Sequence, residues 1–183
     1  MAKLIVCLTG MPGSGKSTIV SALKAMGLEA LNLGDGVRAE AKRRNLEPSG
    51  DNLGKLMLEL REKNGPGAIA ELLTEPIKNS QSKVIIIDGV RSTAEIEVLK
   101  NVGSVKLLSI EASADTRYKF LSARGRSDDP KTREKFEERD NREIGVGLGE
   151  SIAIADETIV NSDITLDELT ELAHKVIEKW IDN

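Results

Sequence analysis

Short apolar runs recur along the chain, separated by longer segments of mixed polarity. Runs rich in Val, Ile and Leu without polar alternation are typical of strands buried on both faces. Five strands are predicted, at residues 4–8, 28–33, 84–87, 105–110 and 158–160; the run VIII at 84–87 is the most strand-like, 28–33 is weaker because polar residues interrupt it, and 158–160 is short. Because helical segments lie between them, the pattern predicts an α/β fold in three layers, with a five-stranded parallel sheet covered on both sides.

The intervening segments carry helix periodicity together with start and stop signals. Predicted helices lie at 16–26, around 53–64, from Pro66 to Pro76, after the capping pair Ser92 and Glu95, at 115–124, at 130–143, and after the capping box Thr165 and Glu168. The last helix is expected to bury one apolar face, formed by Leu166, Leu169, Leu172, Ala173, Val176, Ile177 and Trp180. The glycine-rich run GVGLGE at 145–150 could form a hinge.

One stretch between the first predicted strand and helix carries recognisable chemistry. Gly10 to Ser17 reads GMPGSGKS, which fits the phosphate-loop pattern G-x-x-x-x-G-K-[ST]. Glycines let backbone N–H groups converge on phosphate oxygens, and the following helix adds its positive N-terminus. A glycine-rich turn with a chance lysine is the alternative, but strand, loop and helix occur in the order that the motif requires. The predicted ATP-binding residues are Gly10, Met11, Pro12, Gly13, Ser14, Gly15, Lys16, Ser17 and Thr18.

Within this motif, Lys16 is predicted to reach the β- and γ-phosphates and Ser17 to ligate Mg²⁺. Asp88 ends the apolar run VIIID, and a carboxylate at such a strand tip can hold Mg²⁺ directly or through water. A surface aspartate in a turn before Gly89 is the other interpretation. The phosphate loop favours the metal role, so Lys16 and Asp88 become candidate catalytic residues.

Several classes of phosphate-loop protein are disfavoured by what the chain lacks. No Asn/Thr-Lys-x-Asp tetrapeptide occurs for reading guanine, and 183 residues are too few for the coupling parts of a helicase or transport ATPase. A small-molecule kinase remains. GDGVR at 34–38 resembles the G-D-x-x-R segment with which adenylate kinases bind the acceptor nucleotide. DGVR at 88–91 resembles their D-G-x-P-R segment, one residue shorter and without the proline.

Nearly the whole chain also resembles an archaeal adenylate-kinase-related P-loop family of uncharacterised function. The marks of this family are the run at 124–145, RGRSDDPKTREKFEERDNREIG, and the later IADETIVNSDITLDEL. The resemblance implies the nucleoside-monophosphate-kinase branch of the P-loop folds, with Arg38 and Arg91 binding the acceptor and Arg124 and Arg126 in the lid. It does not carry a substrate.

The arginines also have a physical interpretation. Phosphoryl transfer spreads negative charge over the migrating group, and a planar guanidinium that stays charged suits it. Arg117 and Arg124 are seven residues apart, on one helix face, and Gly125 is placed to end that helix and leave Arg124 and Arg126 at the mouth of the site. A solvated helical surface with internal ion pairs remains the alternative for this charged segment.

We expect residues 1–183 to form a single P-loop kinase-like domain. Residues 36–80 hold too many helices for a minimal crossover and are predicted to be a helical acceptor-binding insertion, while 124–148 are predicted to be a short lid. Asp35 is a candidate for positioning the acceptor, although a turn aspartate is equally consistent with its place before Gly36.

Composition narrows the partners. A net charge of −4 disfavours nonspecific binding to DNA or RNA, and an aromatic content of 2% leaves little for base stacking. One cysteine, Cys7, permits no internal disulfide, and it is expected to be a small core residue. No apolar run suits a membrane span or a signal peptide, so a cytoplasmic protein is expected. Monomer and dimer both stay open.

The sequence therefore predicts an ATP- and Mg²⁺-dependent phosphotransferase acting on a small phosphorylated acceptor, with a nucleoside monophosphate as the first candidate. A dephospho-coenzyme-A-kinase-like enzyme, whose acceptor is a hydroxyl, is one alternative. A nucleotide-dependent regulator that acts on a protein or RNA partner is the other. The choice between ATP and GTP is open.

Overall fold

A computed structural model of the protein describes residues 3–125 and 129–182. Its elements are β1 (Leu4–Thr9), α1 (Lys16–Ala25), β2 (Glu29–Asn32), α2 (Leu33–Arg43), α3 (Gly50–Asn64), α4 (Ala68–Asn79), β3 (Val84–Asp88), α5 (Thr93–Lys100), β4 (Ser104–Glu111), α6 (Ala114–Arg124), α7 (Arg133–Gly145), α8 (Leu148–Ala153), β5 (Glu157–Val160) and α9 (Leu166–Ile181). The strands form one parallel sheet in the order β2-β3-β1-β4-β5. The predicted fold class is confirmed.

The sheet separates two apolar cores because alternate residues of each strand point to opposite faces. On β1, Ile5 and Cys7 join a core under α2 to α5, whereas Val6 and Leu8 join a core under α1 and α9. All four side chains are fully buried. Helices thus cover both faces of the sheet, as the apolar runs predicted. Cys7 is a core residue, as expected, and its burial raises the pKa of its thiol.

The central strands bring the chemistry to one edge of the sheet. β1 leads directly into the glycine-rich stretch, and β3 beside it ends at Asp88, which is in register with Leu8. β2 lies on the other side of β3, where Asn32 is in register with Asp88. Because all strands run the same way, their carboxyl ends meet at this edge, where ligands of open α/β sheets bind.

Three helices lie between β2 and β3, and the sequence predicted bounds only for the second and the third, around 53–64 and from Pro66 to Pro76. The first begins at Leu33, because the side chain of Asn32 caps it by accepting a hydrogen bond from the Gly34 N–H at 2.7 Å. The third continues to Asn79, past Pro76. Proline has no backbone N–H, so Pro76 removes one hydrogen bond from α4. The helix nevertheless continues for one more turn beyond it.

The segment between α6 and β5 contains one helix more than predicted. The glycine-rich run predicted as a hinge spans the end of α7 and the start of α8, and Gly147, with φ 109°, separates the two helices. The short α8 places Leu148 and Ser151 in the interior. Its six residues carry too little periodicity for the sequence to reveal it.

On α9 the predicted capping box is present, but the predicted apolar face is too wide. Leu169, Ala173 and Ile177 are buried, with Val176 and Trp180 partly buried beside them. Leu166 and Leu172 are exposed instead, because the helix contacts α1 and β5 along a narrow stripe only. Across the described ranges, no helix has the length and apolar character needed to cross a lipid bilayer.

Leu23 on α1 offers a test of the core beneath this helix. Leu23→Ala should lower the free energy of unfolding by about 2–5 kcal/mol, because it leaves a cavity in a fully buried site. The matched control is Leu58→Ala on the exposed face of α3, which should change it by no more than about 0.5 kcal/mol. Urea unfolding of both variants makes the comparison, and equal losses would contradict this packing.

Candidate functional site

Residues Gly10 to Gly15 form the loop between β1 and α1, in the place that the motif requires. Its three glycines with positive φ are Gly10 at 134°, Gly13 at 82° and Gly15 at 111°. α1 begins after Gly15 without a side-chain cap. The Thr18 N–H donates to the Gly15 carbonyl at 3.1 Å, and the N–H groups that precede it are those that a helix start offers to an anion.

Lys16 is held by the loop that precedes it. Its ammonium donates hydrogen bonds to the carbonyl oxygens of Gly10 at 2.5 Å and Met11 at 3.0 Å. Burial lowers the pKa of Lys16 to about 8, with Arg91 acting in the same direction and the carboxylate of Asp88 opposing the shift. A cation so placed gains from a bound polyphosphate, whose negative charge favours the protonated form of the lysine.

Asp88 is buried at the tip of β3, with its two carboxylate oxygens in different environments. Oδ2 accepts a hydrogen bond from Asn32 Nδ2 at 2.8 Å. Oδ1 is buried and has no hydrogen-bond partner within residues 3–125 and 129–182. Ser17 lines the same cavity. An orphaned carboxylate oxygen and a serine hydroxyl in the wall of one cavity fit Mg²⁺, which prefers oxygen ligands.

The described part of the chain holds no cluster of three or more His, Cys, Asp or Glu side chains that could bind a metal unaided. Mg²⁺ needs only one or two protein ligands where the phosphates of a nucleotide supply the others. Ser17 and Asp88 are the residues that would hold it. Mg²⁺ would neutralise charge on the β- and γ-phosphates there.

Two cavities open at this edge of the sheet. The larger, about 330 Å³, is lined by the phosphate loop, by Gly89 to Arg91, and by side chains of α6 and α7. The smaller, about 230 Å³, lies between α1, the end of β2 and the first turns of α2. Both are lined by Ser17, Asn32 and Asp88, so they meet at the candidate metal ligands.

Asp35 and Arg38 lie in the smaller cavity. Both are on α2, and Arg38 donates to Asp35 Oδ1 from Nε at 3.0 Å and from Nη2 at 2.6 Å. The two side chains are exposed, so the ion pair between them is weak, and an anionic ligand could replace Asp35 as the partner of Arg38. Asp35 lies in the first turn of α2, and not in the isolated turn that its place before Gly36 also allowed.

Arg91 lies in the larger cavity, so the structure does not place the two predicted acceptor arginines in the same pocket. Its Nε donates to Glu143 on α7 at 2.6 Å, and its backbone N–H donates to buried Glu95 at 2.8 Å. Glu95 in turn accepts from Arg61 on α3 at 3.1 Å. Arg91 thus joins the loop after β3 to α7.

The predicted lid arginines have different outcomes. Arg124 ends α6 before Gly125, as predicted, and lines the larger cavity, but its guanidinium pairs with Asp129 rather than standing free. Arg126 lies outside the described residues. Arg117 is buried, binds Asp140 through both terminal nitrogens and donates to the carbonyl of Pro12 at 3.1 Å. It therefore ties α7 to the phosphate loop.

Two asparagines belong to the site although sequence reasoning missed them. Asn32 contacts Asp88, as described above, and Asn161, directly after β5, donates to the carbonyl of Ser14 at 2.9 Å. Asn32 is the last residue of β2 and Asn161 directly follows β5, so both lie at the carboxyl end of a parallel strand. That position was a usable signal, because polar residues there face the ligand edge of the sheet.

Known proteins resemble this chain both in sequence and in fold. A family model described as an AAA domain matches residues 9–137. The chain is 39% identical over 177 residues to a UPF0200 protein of Hyperthermus butylicus, with 97% of this chain and 95% of that protein covered. It is 41% identical over 165 residues to a UPF0200 protein of Pyrococcus abyssi, covering 87% and 88% of the two chains.

Solved structures share the fold at low sequence identity. TT1252 from Thermus thermophilus matches with a TM-score of 0.71 and 19% identity, over 97% of this chain and 98% of that one. A shikimate kinase of Acinetobacter baumannii in complex with shikimate matches at 0.57 and 15%, over 100% and 95%. A sugar kinase of Janibacter sp. matches at 0.58 and 18%, over 97% and 95%. The fold is P-loop kinase-like, and such a fold implies nucleotide binding.

The pKa of Lys16 generates a test of nucleotide binding. ATP should bind to the protonated lysine, so above pH 8 the free protein must take up a proton and the apparent Kd should rise. Between pH 7 and pH 9 the expected rise is about tenfold, since one pH unit beyond the pKa of about 8 is a factor of ten.

Calorimetry at several pH values measures this change. Lys16→Ala is the control, and it should bind weakly with no rise across the same range. A wild-type Kd that stays constant from pH 7 to pH 9 would contradict the assignment of Lys16 to the phosphates.

The pair of Arg91 and Glu143 makes a second prediction. Glu143→Gln keeps the side-chain shape but removes the charge facing Arg91, and it should lower the free energy of unfolding by about 1.5–3 kcal/mol. Glu138→Gln, on the same helix and paired with Lys135 at the surface, is the control and should change it by less than about 1 kcal/mol. Thermal melting distinguishes the two, and equal effects would show that the inner pair does not hold α7.

Proposed function

The chain belongs to the UPF0200 family, and from that premise we propose that it transfers the γ-phosphate of Mg·ATP to a small phosphorylated acceptor similar to a nucleoside monophosphate. The P-loop kinase-like fold, also seen in a shikimate kinase and a sugar kinase, supports a kinase-like enzyme. The acceptor and the transfer itself are the parts that we propose.

The observation that carries the proposal is the pair of cavities meeting at Ser17, Asn32 and Asp88. The larger contains the phosphate loop and suits the donor. The smaller lies on the other side of the candidate metal ligands, and it contains a guanidinium and a carboxylate at its rim. An ATPase that passes phosphate to water needs only the first cavity.

On the donor side, we assign the phosphates of ATP to the loop from Gly10 to Gly15 and to the start of α1. Lys16 would exchange its two loop carbonyls for the β- and γ-phosphate oxygens. Both carbonyls lie within 3.0 Å of its ammonium, so a small movement of the side chain makes this exchange. Ser17 and Asp88 would supply the protein oxygens of the metal site.

On the acceptor side, Arg38 would leave Asp35 and bind the acceptor's own phosphate. An acceptor phosphate oxygen then forms a bond to the γ-phosphorus, and the bond from that phosphorus to the oxygen of the departing ADP breaks. The acceptor oxygen is already anionic, so no base is required. Arg91, Arg124 and Arg126 are assigned to the charge on the migrating group and to the exclusion of water.

A hydroxyl acceptor, as in a dephospho-coenzyme-A-kinase-like enzyme, is the second candidate. Asp35 favours it, because this exposed carboxylate of the smaller cavity could take the hydroxyl proton once Arg38 has moved. A regulator that hydrolyses ATP to time its action on a protein or RNA partner would need neither Asp35 nor Arg38.

The test is a phosphotransfer panel. ATP and GTP are offered with nucleoside monophosphates, with dephospho-coenzyme A or with water as the only acceptor, and ADP or GDP and the phosphorylated products are quantified. Transfer to a nucleoside monophosphate supports the proposal, and transfer only to dephospho-coenzyme A supports the hydroxyl alternative. Hydrolysis alone, stimulated by a macromolecular partner, overturns both.

Arg38→Ala separates acceptor binding from donor binding. Loss of one charge-assisted, bidentate contact removes about 1.5–3 kcal/mol, so the acceptor KM should rise roughly ten- to more than a hundredfold while the ATP KM stays unchanged. Arg43→Ala is a close control: it is on the same helix, pairs with Glu40 in the same i,i+3 geometry and lines neither cavity. Equal acceptor KM values for the two variants would rule out the role assigned to Arg38.

A further inference from the structure

We propose that Asn32 is a positioning residue, which holds the carboxylate of Asp88 so that its other oxygen faces the metal and which fixes the start of the acceptor helix α2 with the same side chain. The proposal rests on the proposed use of Mg²⁺ and deepens it. Asn32 lies outside the phosphate-loop motif, and it would set the geometry at the place where the larger and the smaller cavity meet.

The backbone brings Asn32 to Asp88 before any side chain is considered. β2 and β3 are neighbours in the parallel sheet, and Asn32 and Asp88 are paired in register at the ends of these two strands. The Asn32 amide nitrogen then donates to Asp88 Oδ2 at 2.8 Å. A shift of the register by one residue would move the amide to the other face of the sheet.

This hydrogen bond leaves the two oxygens of Asp88 in unequal positions. Oδ2 is occupied by the amide, whereas Oδ1 is buried without a partner in the described part of the chain. A buried carboxylate oxygen without a partner is costly, and a metal ion at the cavity would satisfy it. By fixing one oxygen, Asn32 limits the rotation of the carboxylate and orients the other.

The oxygen of the same amide has a separate task. Asn32 Oδ1 accepts from the Gly34 N–H at 2.7 Å and caps α2, the helix that carries Asp35 and Arg38. A carboxamide can donate and accept at once, which neither an aspartate nor an alanine can do. Both cavities include Asn32 in their walls, so one side chain ties the metal ligand to the acceptor helix.

Residues that orient a metal ligand change metal affinity by about 10- to 100-fold when they are replaced. Asn32→Ser should separate the two tasks, because its hydroxyl can still cap α2 but ends one atom short of the amide nitrogen that contacts Asp88. Its expected effect is at least a tenfold rise in the Mg²⁺ concentration that gives half of the full enhancement of ATP binding. ATP affinity in EDTA and the melting temperature should stay near those of the wild type.

The experiment titrates Mg²⁺ into the full-length protein with a fluorescent ATP analogue, so it requires no acceptor and no turnover. Asn32→Thr is a second variant that keeps the cap, and Asn32→Ala should add a loss of thermal stability to the same Mg²⁺ effect. Asp88→Asn provides the reference, and in that background Asn32→Ser should cause no further change, because its effect passes through Asp88.

A wild-type Mg²⁺ requirement in Asn32→Ser and Asn32→Thr would overturn the inference. So would an equal shift in the Asp88→Asn background, since Asn32 would then act independently of that carboxylate. The proposed function fails separately, when the acceptor panel shows no transfer. A protein whose Mg²⁺ dependence responds to Asn32 as expected would still have Asn32 as the positioning residue of its metal site.

Discussion

The glycines of the phosphate loop pack so closely against other backbone and side-chain atoms that no residue with a Cβ could replace them without a shift. A Cβ would lie 2.2 Å from the carbonyl oxygen of Ile110 at Gly10, 2.7 Å from that of Arg117 at Gly13, and 2.6 Å from Asn161 Nδ2 at Gly15. The neighbours belong to β4, to α6 and to the residue after β5. The backbone shape of this short loop is therefore coupled to the positions of β4, β5 and α6.

The arginines around that loop explain the arrangement of the charged segment at 129–143. A guanidinium removed from water needs a partner, because its uncompensated charge would cost several kcal/mol. Arg117 pairs with Asp140, Arg91 with Glu143 and Arg124 with Asp129. All three carboxylates come from 129–143, so the ion pairs hold this segment over the cavity. The charge run therefore has a specific place in the structure and is not only a solvated helix surface.

Sequence reasoning worked best where one physical cause dominated. All five predicted strands are present, and the signal is clearest for β1 and β3, where burial on both faces leaves few residue types possible. The run from Gly10 to Ser17 predicted the loop because its backbone has positive φ at Gly10, Gly13 and Gly15. The predictions were wrong where a side chain is buried or exposed according to packing partners that are distant in sequence. Leu166 and Leu172 share the helical period of the buried residues, yet they are exposed because they lie outside the stripe of α9 that packs against α1 and β5.

The sequence by itself determined the fold class, the phosphate loop, and the strand tip that carries Asp88, since each depends on local patterning and on residue types that few others can replace. Only the tertiary structure decided which side chains meet. It separated Arg38 from Arg91 into two cavities, paired Arg91 with Glu143 across 52 positions, and brought Asn32 to Asp88 across 56. These contacts depend on the order of the strands and on the packing of α7, and both arise from long-range burial that no local pattern encodes.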